Sequence, residues 1–203
     1  LTIISPSPQC VPHPLPDYSS KVNEPDCSGL PSRTVPHGGT VTLDPGVYDK
    51  IKWTSGDLTL NPGLYCVSGS KGVEISGGSI LGDGVTIFLQ TGGVTINGNV
   101  EPVDLRAPVE SPDPAPAVPG ILIYMANGNT STIKVNGNST SFYLGTIYAP
   151  DGDVYLSGSS GTNPTYNTQV IGENVEVSGG ATIDINFLED ENYEKPPYLD
   201  MLK

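Results

Sequence analysis

One hexapeptide pattern recurs five times along the 203-residue chain: residues 73–78 (VEISGG), 94–99 (VTINGN), 133–138 (IKVNGN), 154–159 (VYLSGS) and 175–180 (VEVSGG). Each copy reads apolar, variable, apolar, Ser or Asn, Gly, small. The starts lie 21, 39, 21 and 21 residues apart, and a period near 21 is the mark of a solenoid.

Alternating apolar residues around one free position describe a strand with a single buried face. Val73, Val94, Ile133, Val154 and Val175 therefore stack in one interior lane, and Ile75, Ile96, Val135, Leu156 and Val177 in the next. Glu74, Thr95, Lys134, Tyr155 and Glu176 vary as an outward lane does. The fifth position is always glycine (Gly77, Gly98, Gly137, Gly158, Gly179), which predicts a corner with positive φ, or one where a side chain would strike the neighbouring coil. The preceding Ser76, Asn97, Asn136, Ser157 and Ser178 are placed to bond the turn or one another as a ladder.

A second strand lies between successive copies, in residues 84–89 (GVTIFL), 120–125 (GILIYM), 145–149 (GTIYA) and 169–172 (QVIG). With two to three short strands per period and no helical periodicity, equivalent strands must pair in parallel. The fold expected is all-β, a right-handed single-stranded parallel β-helix with coils about 4.8 Å apart. The same phasing sets Phe88, Tyr124 and Tyr148 in one lane, continued by Ile171, beside the apolar lane Ile87, Ile123, Ile147 and Val170. If the isoleucine lane is core, the aromatic stripe faces out, either as a binding surface for sugar rings or a protein partner, or under a covering segment.

Residues 1–36 are proline-rich and lack alternation, which reads as an extended wrap or a linker, not as strands. Residues 37–187 form the solenoid, opened by 41–48 (VTLDPGVY) and its echo at 58–65 (LTLNPGLY), where Pro and Gly suit a type II turn. Residues 101–119 hold six prolines and four carboxylates and read as a loop insertion, and residues 188–203 as an acidic tail expected to fold back over the end or side of the solenoid.

The net charge of −13 disfavours nucleic-acid binding. No apolar run is long enough to span a bilayer, and without an initiating Met the chain reads as a piece of a longer one. Cys10, Cys27 and Cys66 all fall in the first third; with His13 and His37 the only histidines, a disulfide is more natural than zinc. Cys27 to Cys66 is the first pairing to consider and Cys10 to Cys27 the second, with three free thiols the plain alternative; a disulfide would place the protein outside the cytosol.

The run TLDPGVY, TLNPGLYCVSG, GVEISGG, GVTINGN, DLRAP, GTIYAPDGDVYLSG and TQVIGENVEVSGGATIDINF resembles the extracellular repeat region of TadG-like Tad (Flp) pilus-assembly proteins, over about residues 38–187. The NPG-x-Y corners and the GTIYAP…V-x-L-S-G pair carry most of the likeness, while Tyr48-Asp49-Lys50 departs from the family's Tyr-Cys. The resemblance implies a bacterial surface component anchored in the membrane elsewhere in the parent chain, with no catalytic residues in this region. The function expected is a non-catalytic structural or adhesive cell-surface module, partnered by surface or pilus proteins or glycans and needing no cofactor.

The rival is a pectate-lyase-like enzyme that binds or cleaves polysaccharide. Such sites set carboxylates and Ca²⁺ beside a basic residue; Arg33 and Arg106 are the only arginines, and both lie in proline-rich segments. Asp83, Asp151 and Asp153 are the carboxylates best placed for calcium, and are equally what tight turns use. No Gly-x-Ser-x-Gly elbow is present, Asn129 and Asn138 open glycosylation sequons, and Thr95 has no threonine above or below it, against an ice-binding lane.

Overall fold

The computed structural model describes residues 22–109, 117–180, 184–185 and 193. Every described element is a strand, and every strand pairing is parallel. Three sheets run along the axis, two of seven strands and one of six, and each strand bonds to its counterpart one coil away. The molecule is a parallel β-helix of six coils, preceded by a partial one made from Ser32–Arg33 and Thr40–Leu43.

The glycine-motif face comprises Ile51–Trp53, Val73–Ile75, Val94–Ile96, Thr132–Gly137, Asp153–Gly158 and Val175–Gly179. Its register matches the repeat, with Val73 opposite Val94, Val94 opposite Ile133, Ile133 opposite Val154, and Val154 opposite Val175. The 39-residue interval does not disturb the lane. A sixth copy, Ile51-Lys52-Trp53, heads it, and its indole Nε1 donates to the Gly56 carbonyl at 3.0 Å. Most inward residues of these lanes are sealed, whereas Val175 and Val177 at the last coil are about half exposed.

The motif glycines mark close approach more than unusual backbone. A Cβ on Gly77 would stand 2.6 Å from the Thr54 carbonyl, and one on Gly137 2.5 Å from Pro164. Of the five, only Gly179 has positive φ; in the first copy the left-handed residue is the next one, Gly78.

Of the type II turns expected at the two Pro-Gly corners, the first is not what forms, whereas Gly63 at the second does take positive φ. Gly46 lacks the positive φ that such a turn demands, and its glycine is required because a Cβ would meet Pro31 and Arg33 of the preceding partial coil. Both corners are held by tyrosines. The Tyr48 hydroxyl donates to the Asp44 carbonyl at 2.6 Å, and the Tyr65 hydroxyl is shared between the carbonyls of Asn61 and Leu43 at 2.7 and 2.8 Å. The Asn61 amide also donates to the Asp44 carboxylate in the neighbouring coil.

The third face, not resolved as a separate sheet by the sequence pattern, contains Asp57–Leu60, Gly78–Gly82, Val100–Arg106, Ser141–Leu144, Thr165–Asn167 and Asp184–Ile185. It corrects the expected loop at 101–119: the strand runs to Arg106 and Val103–Arg106 are ladder past an irregularity after Val100, with Val103 and Leu105 inward and Asp104 and Arg106 outward. Only from Ala107 onward does the chain leave the sheet. The reading of residues 1–36 as strandless is corrected in the same way, because Ser32–Arg33 pairs with Val47 and Tyr48. Both sequon asparagines are structural. Asn129 Nδ2 donates to the Leu89 and Gly92 carbonyls and Asn138 Nδ2 to those of Gly98 and Val100, so each side chain is spent inside a turn.

Candidate functional site

The aromatic lane forms in the expected register on the face built from Gly46–Tyr48, Gly63–Val67, Val85–Leu89, Ile121–Met125, Thr146–Ala149 and Val170–Gly172. Phe88 lies opposite Tyr124 and Tyr124 opposite Tyr148, with ring centroids 5.4 and 4.9 Å apart. All three side chains point away from the solenoid interior, yet none is open to solvent. Val22, Cys27 and Leu30 of the N-terminal segment, Val118 near the end of the insertion, and Tyr193 cover them in a second apolar cluster.

That cover is fastened at several points. The Tyr124 hydroxyl donates to the Val22 carbonyl at 3.0 Å, and the Asn127 amide donates to Glu24 at 2.8 Å. Val118 N donates to Thr86 Oγ1 at 3.0 Å and Tyr193 N to Thr146 Oγ1 at 2.9 Å. Cys66 sits directly beside Phe88 in the same lane, and its disulfide to Cys27 (Cα–Cα 6.1 Å) locks the segment down. The stripe is thus the seat of the wrap, and Cys10, whose pairing with Cys27 this bond displaces, lies outside the described residues. Of the tail 188–203 only Tyr193 is described.

Two of the three calcium candidates are tied to neighbouring coils. Asp151 Oδ2 accepts from the Gly128 amide and Asp153 Oδ1 from the Asn174 side chain, both at 2.7 Å. Among the described residues no three His, Cys, Asp or Glu side chains gather into a metal-holding group.

Two further concavities gather charge. At the N-terminal end, Arg33, Lys50, Lys52 and Trp53 line a cavity of about 460 Å³. Its cations are partly committed, Arg33 to Asp44 at 3.2 Å and Lys52 to Glu74 at 3.0 Å. On the third face Asp83, Asp104 and Arg106 line a groove of about 430 Å³ beside Leu81. There Arg106 grips Asp104 through two hydrogen bonds of 2.8 and 3.1 Å and stacks over the Phe142 ring at 4.7 Å.

The glycine-motif face carries an open groove of about 460 Å³ whose floor is the repeat itself. Thr95, Lys134 and Tyr155 supply one wall from consecutive coils of the outward lane, and Asn97, Asn136 and Ser157 the other. Lys134 Nζ stands 5.7 Å from the Tyr155 ring centroid, a cation–π contact that orients the ring at the surface. Asn136 packs against Gly98, where a Cβ would lie 3.2 Å from its carboxamide, and its Oδ1 has no hydrogen-bond partner. An unsatisfied shielded acceptor costs roughly 1–3 kcal/mol. Sequence reasoning passed over Tyr155 and Asn136 as a free position and a turn residue; an aromatic in the outward lane next to an amide ladder was the available signal.

The fold and these surfaces define a disulfide-bonded parallel β-helix with an open polar groove. Compared with protein-family models, curated proteins and solved structures, the chain matches none.

Proposed function

We propose that this chain is a non-catalytic structural and adhesive module of a bacterial cell surface, associated with a Tad (Flp)-type pilus. The observation that carries the reading is the second apolar cluster, held over the aromatic lane by the Cys27–Cys66 disulfide. A covalent clasp of this kind belongs to oxidising compartments, and a rod sealed on its flank suits exposure to shear and proteases. No helix among the described residues is long and apolar enough to cross a membrane. Immunogold labelling and co-purification with sheared pili test this reading. Surface labelling and recovery with pili are expected; a reduced protein confined to the cytosol would overturn it.

A polysaccharide-acting enzyme is the second reading, favoured by the meeting of Asp83, Asp104 and Arg106 in one groove. With Arg106 bound twice to Asp104, that arginine is poorly prepared to act as a base. Release of unsaturated uronate from polygalacturonate in the presence of calcium would establish this alternative, and its loss in an Arg106→Ala variant would assign it.

A further inference from the structure

We propose that the groove on the glycine-motif face is a binding site for a neutral oligosaccharide lying along the solenoid axis, which gives the adhesive part of the proposed function its ligand class and rests on that reading. Four observations converge on this surface. Tyr155 presents a partly exposed ring from the outward lane, and a ring face beside polar groups is what the C–H face of a pyranose stacks on. Asn97, Asn136 and Ser157 run beside it in successive coils, offering amide and hydroxyl groups at steps of about 4.8 Å, close to the length of one pyranose residue. Asn136 Oδ1 lacks a donor, which a sugar hydroxyl can supply after a small turn of the carboxamide. Lys134 adds a donor at the rim.

Other ligand classes fit less well. The strands under the groove are bonded on both sides, Thr132–Gly137 to Val94–Ile96 and to Asp153–Gly158, so no free backbone edge is available to an added peptide strand. A polyanion meets Glu74 and Glu176 in the same outward lane and a chain of net charge −13. The aromatic lane is closed by the wrap, and the third-face groove offers a ring already stacked under Arg106.

The test is titration calorimetry of the intact disulfide-bonded protein with cello-, manno- and N-acetylchito-oligosaccharides, and with oligogalacturonate for comparison. Saturable binding of at least one neutral series is expected, at least tenfold weaker in Tyr155→Ala and Asn136→Ala, largely kept in Tyr155→Phe, and unchanged in Phe142→Ala on the third face. Both groove variants change partly exposed side chains, and unchanged melting temperatures would separate lost binding from lost fold. No binding to any neutral series, binding that survives Tyr155→Ala, or tighter binding to oligogalacturonate would each overturn the proposal. Co-purification of Tyr155→Ala with pili should persist, so that failure of the groove and failure of the pilus assignment are told apart.

Discussion

At the residue scale the corners depend on hydroxyls more than on turn type. Tyr65 is fully buried and serves carbonyls in two coils at once, Asn61 in its own and Leu43 in the one before. Tyr65→Phe removes the hydroxyl from the Asn61 carbonyl and from the Leu43 carbonyl, which keeps the Asn61 backbone N–H, and is expected to cost about 1–3 kcal/mol, read from the urea midpoint at constant m-value; a change below about 0.5 kcal/mol would mean the corner is held otherwise. The motif glycines make a sharper expectation, because a Cβ at Gly77 meets the fixed Thr54 carbonyl rather than a movable side chain. Gly77→Ala should destabilise by about 1–3 kcal/mol, while Ser160, an exposed neighbour of a later corner, should accept alanine with almost no change in midpoint.

At the scale of elements, the wrap and the sheet it covers form one unit. The disulfide closes a separation of 39 residues, which in the chain-entropy treatment is worth about 4 kcal/mol. Cys27→Ser is expected to lower the melting temperature, raise hydrogen exchange over residues 22–31, and admit a hydrophobic dye to the Phe88, Tyr124 and Tyr148 lane. If dye binding and exchange match the parent protein, the cover holds without its clasp. The lane was legible because its rings recur at equivalent positions between glycine motifs. The wrap over it was not, since an extended segment bonded through single carbonyls and one carboxylate leaves no period to read. Residues 101–106 illustrate the opposite problem: Val103, Asp104, Leu105 and Arg106 alternate as a strand should, but the prolines around them outweighed four residues of pattern. Tyr155 and Asn136 belong to a site only because coils 21 residues apart bring them side by side, and a single repeat read alone shows a variable position and a turn residue.

At the scale of the molecule, the buried tyrosines set an alkaline limit. Burial pushes Tyr48 up to about 12, with the Asp44 carboxylate adding to the rise and Arg33 opposing it. Burial likewise raises Tyr65, Tyr124, Tyr143 and Tyr166 well above an ordinary phenol. The folded state keeps these protons where the unfolded chain releases them near pH 10, so their contribution is intact below pH 10 and is lost as pH rises from there through about 12. Phenolate absorbance should therefore rise in two stages, a reversible one from accessible tyrosines and a steep one coincident with loss of the β-sheet signal; a single smooth titration with the sheet intact would contradict the burial. The stacked register itself is measured most directly by pulsed electron–electron resonance between spin labels at Lys52→Cys and Glu176→Cys, in protein with Cys10→Ser and the disulfide intact. Those positions are 124 residues apart in sequence and five lane steps apart in the solenoid. A narrow distribution near 24 Å between backbones, five steps of about 4.8 Å, broadened only by the label arms, is the expected result. A broad distribution, or one centred beyond about twice that distance, would contradict the coil-on-coil architecture.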